Sequence, residues 1–324
     1  MKVAVITDTH FGARGDNKAF SDYFYKFWTN TFFPYLIEND IKTIIHCGDL
    51  MDRRKYVNFD TLNNMRNKFI KPMMDNDITM HTIVGNHDTY YKNTVDVNSV
   101  EQLFDINGTS PIVAYSEAKT LELPDGYKVD MIPWINTDNE ETIMEFIKNS
   151  KSSIAWGHFD LQGFEMMKGV SSMYHSRSTD FLKNYETVYS GHFHHPSSLG
   201  NITYIGAQYE LTWSDAGQKR GFSVFDTETR EMEFIQNPIS IFNKIVYDDT
   251  DMTIEDISNL DTSLLADTFI KVIVKTKDNP YIFDLFLDRL QASEAADIKV
   301  VEDHHNLDAI DEDELLDEAQ DTMT

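Results

Sequence analysis

"TIIHCGDLMD" (43–52) reads as a short apolar strand that stops at a glycine and delivers two aspartates, Asp49 and Asp52, into a loop. Two other stretches repeat the arrangement. "KVAVITDTH" (2–10) ends its apolar run on Asp8 and His10, and "TMHTIVGNHD" (79–88) ends on Asn86, His87 and Asp88. Short apolar runs bounded by turn signals are the pattern of buried strands. Between them lie "KAFSDYFYKFWTNTFFPYLIEND" (18–40) and "NFDTLNNMRNKFIKPMMDND" (58–77), apolar at helical spacing. Pro34 is expected to interrupt the first, and Leu62, Met65 and Phe69 mark one face of the second. Strand, helix, strand, helix, strand implies right-handed parallel crossovers.

The second half changes character. "VDMIPWI" (129–135), "SIAW" (153–156), "TVYS" (187–190), "ITYIG" (202–206) and "GFSVFDT" (221–227) are short strands separated by turns. The expected architecture is α/β, a sandwich of two β-sheets with helices outside. Two of the later strands run into "GHFD" (157–160) and "GHFHH" (191–195), adding His158, His192 and His194. Five strand ends therefore carry residues able to bind a metal, at the end where open α/β sheets place ligands. One such set alone is an ordinary polar loop cap; five with the same chemistry point to a shared site. Glycine precedes four of them, Gly48, Gly85, Gly157 and Gly191, which permits a tight turn and a close backbone approach.

The 324 residues and 41% hydrophobic content suffice for one large domain and a smaller one. The expected division is a main domain over 1–238, a small α+β capping domain over 239–303 and an acidic tail over 304–324. In the small domain "TFIKVIVKT" (268–276), "YIFDLFLDRLQAS" (281–293) and "DIKVVE" (297–302) form a β-α-β unit, after a looser pattern near 236–250. The tail is read equally as a helix with a weak apolar side or as a disordered acidic segment. No stretch approaches the ~20 apolar residues that span a bilayer. The opening residues do not read as a signal peptide, and the lone Cys47 excludes an intramolecular disulfide framework. A cytoplasmic protein without a membrane is expected.

The formal net charge is −26; residues 301–324 hold ten acidic residues and no lysine or arginine, and the body without them still carries −16. That balance disfavours non-specific adhesion to nucleic acid. It does not exclude a nuclease, since bound cations invert the local field.

The ordered set D-x-H, GD-x-x-D, GNHD, GH and GH-x-H resembles the calcineurin-like metallophosphoesterases. Within them it resembles the SbcD/Mre-type nuclease subunits of double-strand-break repair complexes, in particular their T-even-like bacteriophage branch. The likeness covers roughly residues 1–235 and includes the "IPW", "SGHFH" and "YIG" segments. It implies the metallophosphoesterase fold and two divalent metal ions, with no organic cofactor. The first ion would take Asp8, His10, Asp49 and His194, and the second Asp49, Asn86, His158 and His192, with Asp49 bridging. Oxygen donors mixed with imidazole suit Mn²⁺, Fe or Zn better than Ca²⁺, and Mn²⁺ is the ion expected. His87 would serve the leaving oxygen, and Asp88 would orient its ring. Asp52 stands where many SbcD/Mre relatives have histidine and is expected behind the ligands. His195 has no role in the pattern.

Candidate DNA contacts are Arg14, Lys18, Arg53, Arg54, Lys55, Lys92, Lys168, Arg177, Lys219 and Arg220, chiefly the "DRRK" cluster (52–55). An ordinary solvated basic loop is the competing reading. Tyr90 and Tyr91 are read either as packing or as stacking partners for a frayed end. The resemblance also implies a homodimer and an SMC-like ATPase partner of the SbcC/Rad type. It further implies 3′–5′ exonuclease and endonuclease activity in DNA replication, recombination and repair, in an infected bacterial host. Two alternatives remain: a phosphoprotein phosphatase or small-substrate phosphodiesterase of the same superfamily, and an inactive scaffold.

Overall fold

The computed structural model describes residues 1–104, 110–167, 170–171 and 176–302. The acidic tail and Lys168 lie outside the described residues. The chain divides into two compact units. One comprises Met1–Tyr209 and Arg220–Pro238; the other comprises Glu210–Lys219 and the described part of Ile239–Thr324.

The first unit is a mixed α/β fold of two six-stranded sheets flanked by helices. One sheet holds β1 (Lys2–Ile6), β2 (Thr43–His46), β3 (Thr79–Ile83), β4 (Ile112–Tyr115), β13 (Gly221–Asp226) and β14 (Met232–Gln236), in the order β14-β13-β1-β2-β3-β4. The other holds β5 (Lys119–Glu122), β6 (Lys128–Ile132), β7 (Ile154–His158), β10 (Thr187–Gly191), β11 (Ser197–Leu199) and β12 (Ile202–Tyr204), in the order β11-β12-β10-β7-β6-β5. A short hairpin, β8 (Glu165–Met167) with β9 (Val170–Ser171), stands apart. The strands β1 to β4 are mutually parallel, as are β6, β7, β10 and β12.

Period-two alternation decides which side chains fill the centre. Val3, Val5, Ile45 and Ile83 of the first sheet meet Val129, Met131, Trp156 and Tyr189 of the second in one buried cluster. Behind the second sheet, Ile143 and Ile147 of the helix Glu140–Asn149 pack with Ala155, Val188 and Tyr204. Behind the first sheet is an aromatic layer. Trp28 lies 4.8 Å from Phe69, and Phe32 lies 4.9 Å from Phe222 on β13.

Pro34 does not break its helix. The segment Lys18–Phe27 runs through a π-helical stretch, Trp28–Phe32, into Phe33–Glu38. The Phe33 N–H reaches back five residues to the Trp28 carbonyl. The wide turn gives the proline ring room where an ordinary turn would press it on the carbonyl four residues back. Pro72 is accommodated the same way, after a π segment over Arg66–Ile70.

The second unit is a three-stranded parallel sheet, β15 (Phe242–Asp248), β16 (Phe269–Thr276) and β17 (Asp297–Glu302), in that order. The stretch that reads as loose near 236–250 therefore contains a full edge strand. The helix Pro280–Gln291 covers one face through Ile282, Phe283, Phe286 and Leu290. Residues 210–219, placed with the main domain in the sequence, cluster with this unit instead. Trp213 packs 4.6 Å from Phe242, and the Glu210 carboxylate accepts the N–H groups of Ile241 and Phe242. Among the described residues, no helix is long and apolar enough to cross a membrane.

Candidate metal centre

The carboxyl ends of β1, β2, β3, β7 and β10 deliver the motif residues, and their turns are strained. Asp8 (φ 47°), His10 (φ 43°), Asp49 (φ 57°) and His192 (φ 91°) all occupy positive φ, a region uncommon for residues with a side chain. Backbone bonds zip the first two turns together: Asp8 N–H to Gly48 O at 3.0 Å, His10 N–H to Asp49 O at 3.2 Å and Phe11 N–H to Leu50 O at 3.0 Å. Gly85 and Gly191 supply space rather than a special φ. A Cβ on Gly85 would stand 2.2 Å from Asp49 Oδ1, and one on Gly191 would stand 2.0 Å from Thr7 Oγ1.

The donors converge in three groups. Asp8, His10 and His194 form the first, Asp49, His158 and His192 the second and fully buried one, and His10, Asp52 and His87 a third that shares His10 with the first. In the first, His10 Nε2 lies 3.1 Å from His194 Nε2, with Asp8 Oδ1 3.8 Å and 3.9 Å from the two rings. In the second, His158 Nε2 lies 3.3 Å from Asp49 Oδ2 and 2.9 Å from Asn86 Oδ1. The same Asp49 oxygen is 3.8 Å from His10 Nε2, so one carboxylate faces the first and second groups. His158 Nδ1–H donates to the Cys47 carbonyl at 2.7 Å, which leaves Nε2 directed at the cluster. The His192 N–H donates to the Asp8 carboxylate at 3.1 Å, and Thr7 Oγ1 donates to it at 2.7 Å.

Charge follows this geometry. Burial alone would raise Asp49, but His158, His87 and His10 hold it well below the usual carboxylate range. Burial also works against the charge on His10 and His158. Asp52, Asp49 and Asp8 outweigh it at His10, and Asp49 and Asp8 at His158, so both are pushed up to about 9. His192 falls to about 3 and His194 well below its ordinary value, through burial first and neighbouring imidazolium charge second. Burial raises Asp8. Without a cation, two protonated imidazoles balance the buried carboxylates. That donor set, oxygen and imidazole nitrogen directed at common points, fits a divalent transition-metal ion.

The His87 ring is oriented by a partner other than Asp88. His87 donates its backbone N–H to Asp49 Oδ1 at 2.8 Å, and its ring stands edge-on to His10 at 4.9 Å. Its Nδ1 is held at 2.7 Å by the carbonyl of Asp52, not by Asp88. The Asp88 carboxylate instead accepts the N–H groups of Gly85, Leu50 and Met51 at 2.9 Å, 3.2 Å and 3.0 Å. It also accepts the Ser99 hydroxyl at 3.3 Å, so it ties loops together, while the His87 ring takes its orientation from the Asp52 carbonyl. Asp52 does two things: its carbonyl holds His87, and its carboxylate lies 3.5 Å from His10 Nδ1. His195 pairs with Glu165 at 3.2 Å.

The basic candidates scatter. Arg53 pairs with Asp16 at 2.6 Å and lies 5.0 Å over the Tyr56 ring. Arg54 donates to Thr89 Oγ1 at 3.1 Å, and Lys55 is 6.0 Å over Tyr90. Arg14, Lys18, Lys92 and Lys219 are exposed, and Lys18 pairs with Asp22. Arg177 pairs with Glu140. Arg220 is buried and donates to the His194 carbonyl, so it braces the metal loop and offers no surface to a duplex. Two residues of the site escaped the motif reading. Trp134 walls it 5.2 Å from His192 and 6.0 Å from His158, and its only trace in the sequence was the "IPW" segment. His46 lies beneath it, inside an apolar strand that gave no reason to single it out.

Residues 1–196 match the family model described as calcineurin-like phosphoesterase. Exonuclease subunit 1 of Enterobacteria phage T4 is 36% identical over 255 residues, covering 76% of this chain and 71% of that protein. Among solved structures, an archaeal phosphodiesterase gives a TM-score of 0.35 at 16% identity, over 73% of this chain and 100% of its own. A dimetal phosphatase from Danio rerio gives 0.38 at 9%, over 69% and 91%. On the family match and the phage relative, this chain belongs to the calcineurin-like phosphoesterases, metallohydrolases that work with a dinuclear divalent-metal site.

Proposed function

We propose that this chain is the nuclease subunit of a DNA end-processing complex, hydrolysing phosphodiester bonds as exonuclease and endonuclease during replication, recombination and repair. The observation that carries the reading is Asp49, one buried carboxylate facing both His10 and His158. The phage exonuclease subunit directs the substrate choice towards DNA. In this reading Asp8, His10, Asp49 and His194 hold one ion, and Asp49, Asn86, His158 and His192 the other, Mn²⁺ being the ion of choice. Two cations held by these residues would supply Lewis-acid chemistry, lowering the pKa of a water and drawing charge from the phosphate oxygens.

The chain's own groups do the rest. With Nδ1–H of His87 engaged by the Asp52 carbonyl, Nε2 is the atom left to hand a proton to the leaving oxygen. Asp88 keeps the loops of Asp49 and His87 at fixed separation. Arg53, Arg54 and Lys55 border the site from the loop after Asp52, with Arg14 and Lys92 as further phosphate contacts; Arg177, paired with Glu140, is the weakest candidate. Exposed Tyr56, Tyr90 and Tyr91 offer faces to unpaired bases. The chain acts as a homodimer, consistent with Phe59 and Met74, 86% and 58% exposed on the helical segment after the second motif. An SMC-like ATPase supplies the DNA affinity that a net charge of −26 withholds, in the cytoplasm of an infected bacterium.

The test is cleavage of end-labelled linear duplex DNA with Mn²⁺, beside p-nitrophenyl phosphate and bis-p-nitrophenyl phosphate, with His87→Ala in parallel. DNA cleavage lost in the variant is the expected result, and the products give the polarity. Rapid monoester hydrolysis with intact DNA would move the assignment to a phosphatase. No cleavage of any substrate, even with the ATPase and ATP, would make the chain a scaffold.

A further inference from the structure

His46, the last residue of β2, is fully excluded from solvent, and no step described above uses it. Its two ring nitrogens face different loops. Nδ1 accepts the Gly48 N–H at 3.2 Å, and Thr82 Oγ1 on β3 is 3.0 Å from the same atom. Nε2 lies 3.1 Å from Thr9 Oγ1. The Gly48 donor assigns the tautomer: Nδ1 is bare, so the ring proton sits on Nε2 and is given to Thr9. The Thr9 hydroxyl passes its own proton to the Leu50 carbonyl at 3.0 Å. Burial keeps the ring neutral, with its pKa down at about 3.

The two partners are the centres of the two strained turns. Thr9 sits between Asp8 and His10, both at positive φ, and Gly48 (φ 95°) precedes Asp49, also at positive φ. Such backbone persists only where its surroundings over-determine it. We infer that His46 is a positioning residue, a single imidazole bonded at Nε2 to Thr9 and at Nδ1 to Gly48 that holds both turns in the shape presenting Asp8, His10 and Asp49 to a metal ion. This rests on the metal-centre reading above but not on DNA as the substrate. An ordinary core histidine would affect stability alone; a positioning histidine also sets metal affinity.

The experiment titrates the full-length, metal-free chain with Mn²⁺ by calorimetry and records each variant's thermal midpoint. His46→Phe removes both bonds, His46→Asn keeps an acceptor near Nδ1, and His46→Gln keeps a donor near Nε2. The Phe variant should bind Mn²⁺ about 10- to 100-fold more weakly, the usual cost of losing a group behind the ligands, with Asn and Gln between it and wild type. Tyr185→Phe is the control. It removes a hydroxyl 2.7 Å from buried Asp130 and should lower the midpoint without changing Mn²⁺ affinity. Wild-type affinity in the Phe variant overturns the inference, as it does in both Asn and Gln should Phe fail to fold. An equal loss in Tyr185→Phe also overturns it. A wild-type chain that takes up no Mn²⁺ refutes the metal centre itself, a failure visible before any substitution is made.

Discussion

Both units of this chain contain parallel strands whose carboxyl ends carry acids, and the acids do different work. In the first unit Asp8 and Asp49 each accept a backbone N–H yet keep oxygens turned towards imidazoles, with His10 and His158 within 4 Å. In the second unit Asp249 follows β15, and its carboxylate accepts N–H from Asp278 and Asn279 at 2.9 Å each and the Tyr247 hydroxyl at 3.1 Å. Those backbone bonds lower its pKa, and among the described residues no imidazole joins it in a metal-type cluster. A parallel strand end offers a place for a ligand. Whether it becomes a site depends on what else converges there. Asp88 makes the same point inside the first unit, since three backbone N–H groups and the Ser99 hydroxyl bond its carboxylate, which locks a turn.

Replacing the shared carboxylate gives the largest expected effect. Asp49→Asn should abolish high-affinity Mn²⁺ uptake and reduce phosphodiester hydrolysis by roughly a thousandfold or more, the equivalent of several kcal/mol of Lewis-acid stabilisation. Near-normal turnover in this variant would break the comparison, because Asp49 would then be no more than another turn lock.

His87→Ala comes next. Loss of a positioned proton donor should cost on the order of a hundredfold or more in hydrolysis of bis-p-nitrophenyl phosphate. Mn²⁺ affinity, followed by calorimetry, should fall far less than in Asp49→Asn, because His87 clusters with His10 and Asp52 but belongs neither to the Asp8, His10 and His194 group nor to the Asp49, His158 and His192 group.

The pH dependence sharpens the contrast further. His10 and His158 hold protons up to about 9 in the metal-free chain and must release them to act as ligands. Metal binding therefore expels protons, and affinity for Mn²⁺ should rise with pH until about 9 and then level off. Each histidine contributes up to about tenfold per pH unit below that point. Affinity that is flat with pH, measured alongside proton release in buffers of different ionisation heat, would contradict this.

The smallest expected effect belongs to the second unit. Asp249→Asn should lower the thermal midpoint by loosening the turn at Asp278 and Asn279, and leave Mn²⁺ binding unchanged. A loss of metal would mean that the two kinds of strand-end acid are not separable.

Much of the first unit was legible in the residues because its signals are local. Apolar runs ending at glycine, followed by Asp, Asn or His, locate strands and donors without reference to the rest of the chain. The edge strand β15 was harder to see. Its sequence FNKIVYD buries only Phe242 and Tyr247 fully, so alternation is weak. Pro34 misled for a related reason, since helix-breaking is a local rule and the π turn that evades it is stabilised by packing such as Trp28 on Phe69.

By itself the sequence determined which atoms were available: four carboxylates, an amide and imidazoles at the ends of five strands, in a chain too acidic to hold DNA by charge alone. Only the tertiary structure decided how they were used. It joined His158 to Cys47 across 111 residues, gave the orientation of His87 to the Asp52 carbonyl, spent Asp88 on backbone amides and placed His46 under two strained turns. The physical reason is that residue identity sets donor chemistry. Which donor meets which depends on sheet order, strand register and turn conformation, and these arise only when the two sheets pack.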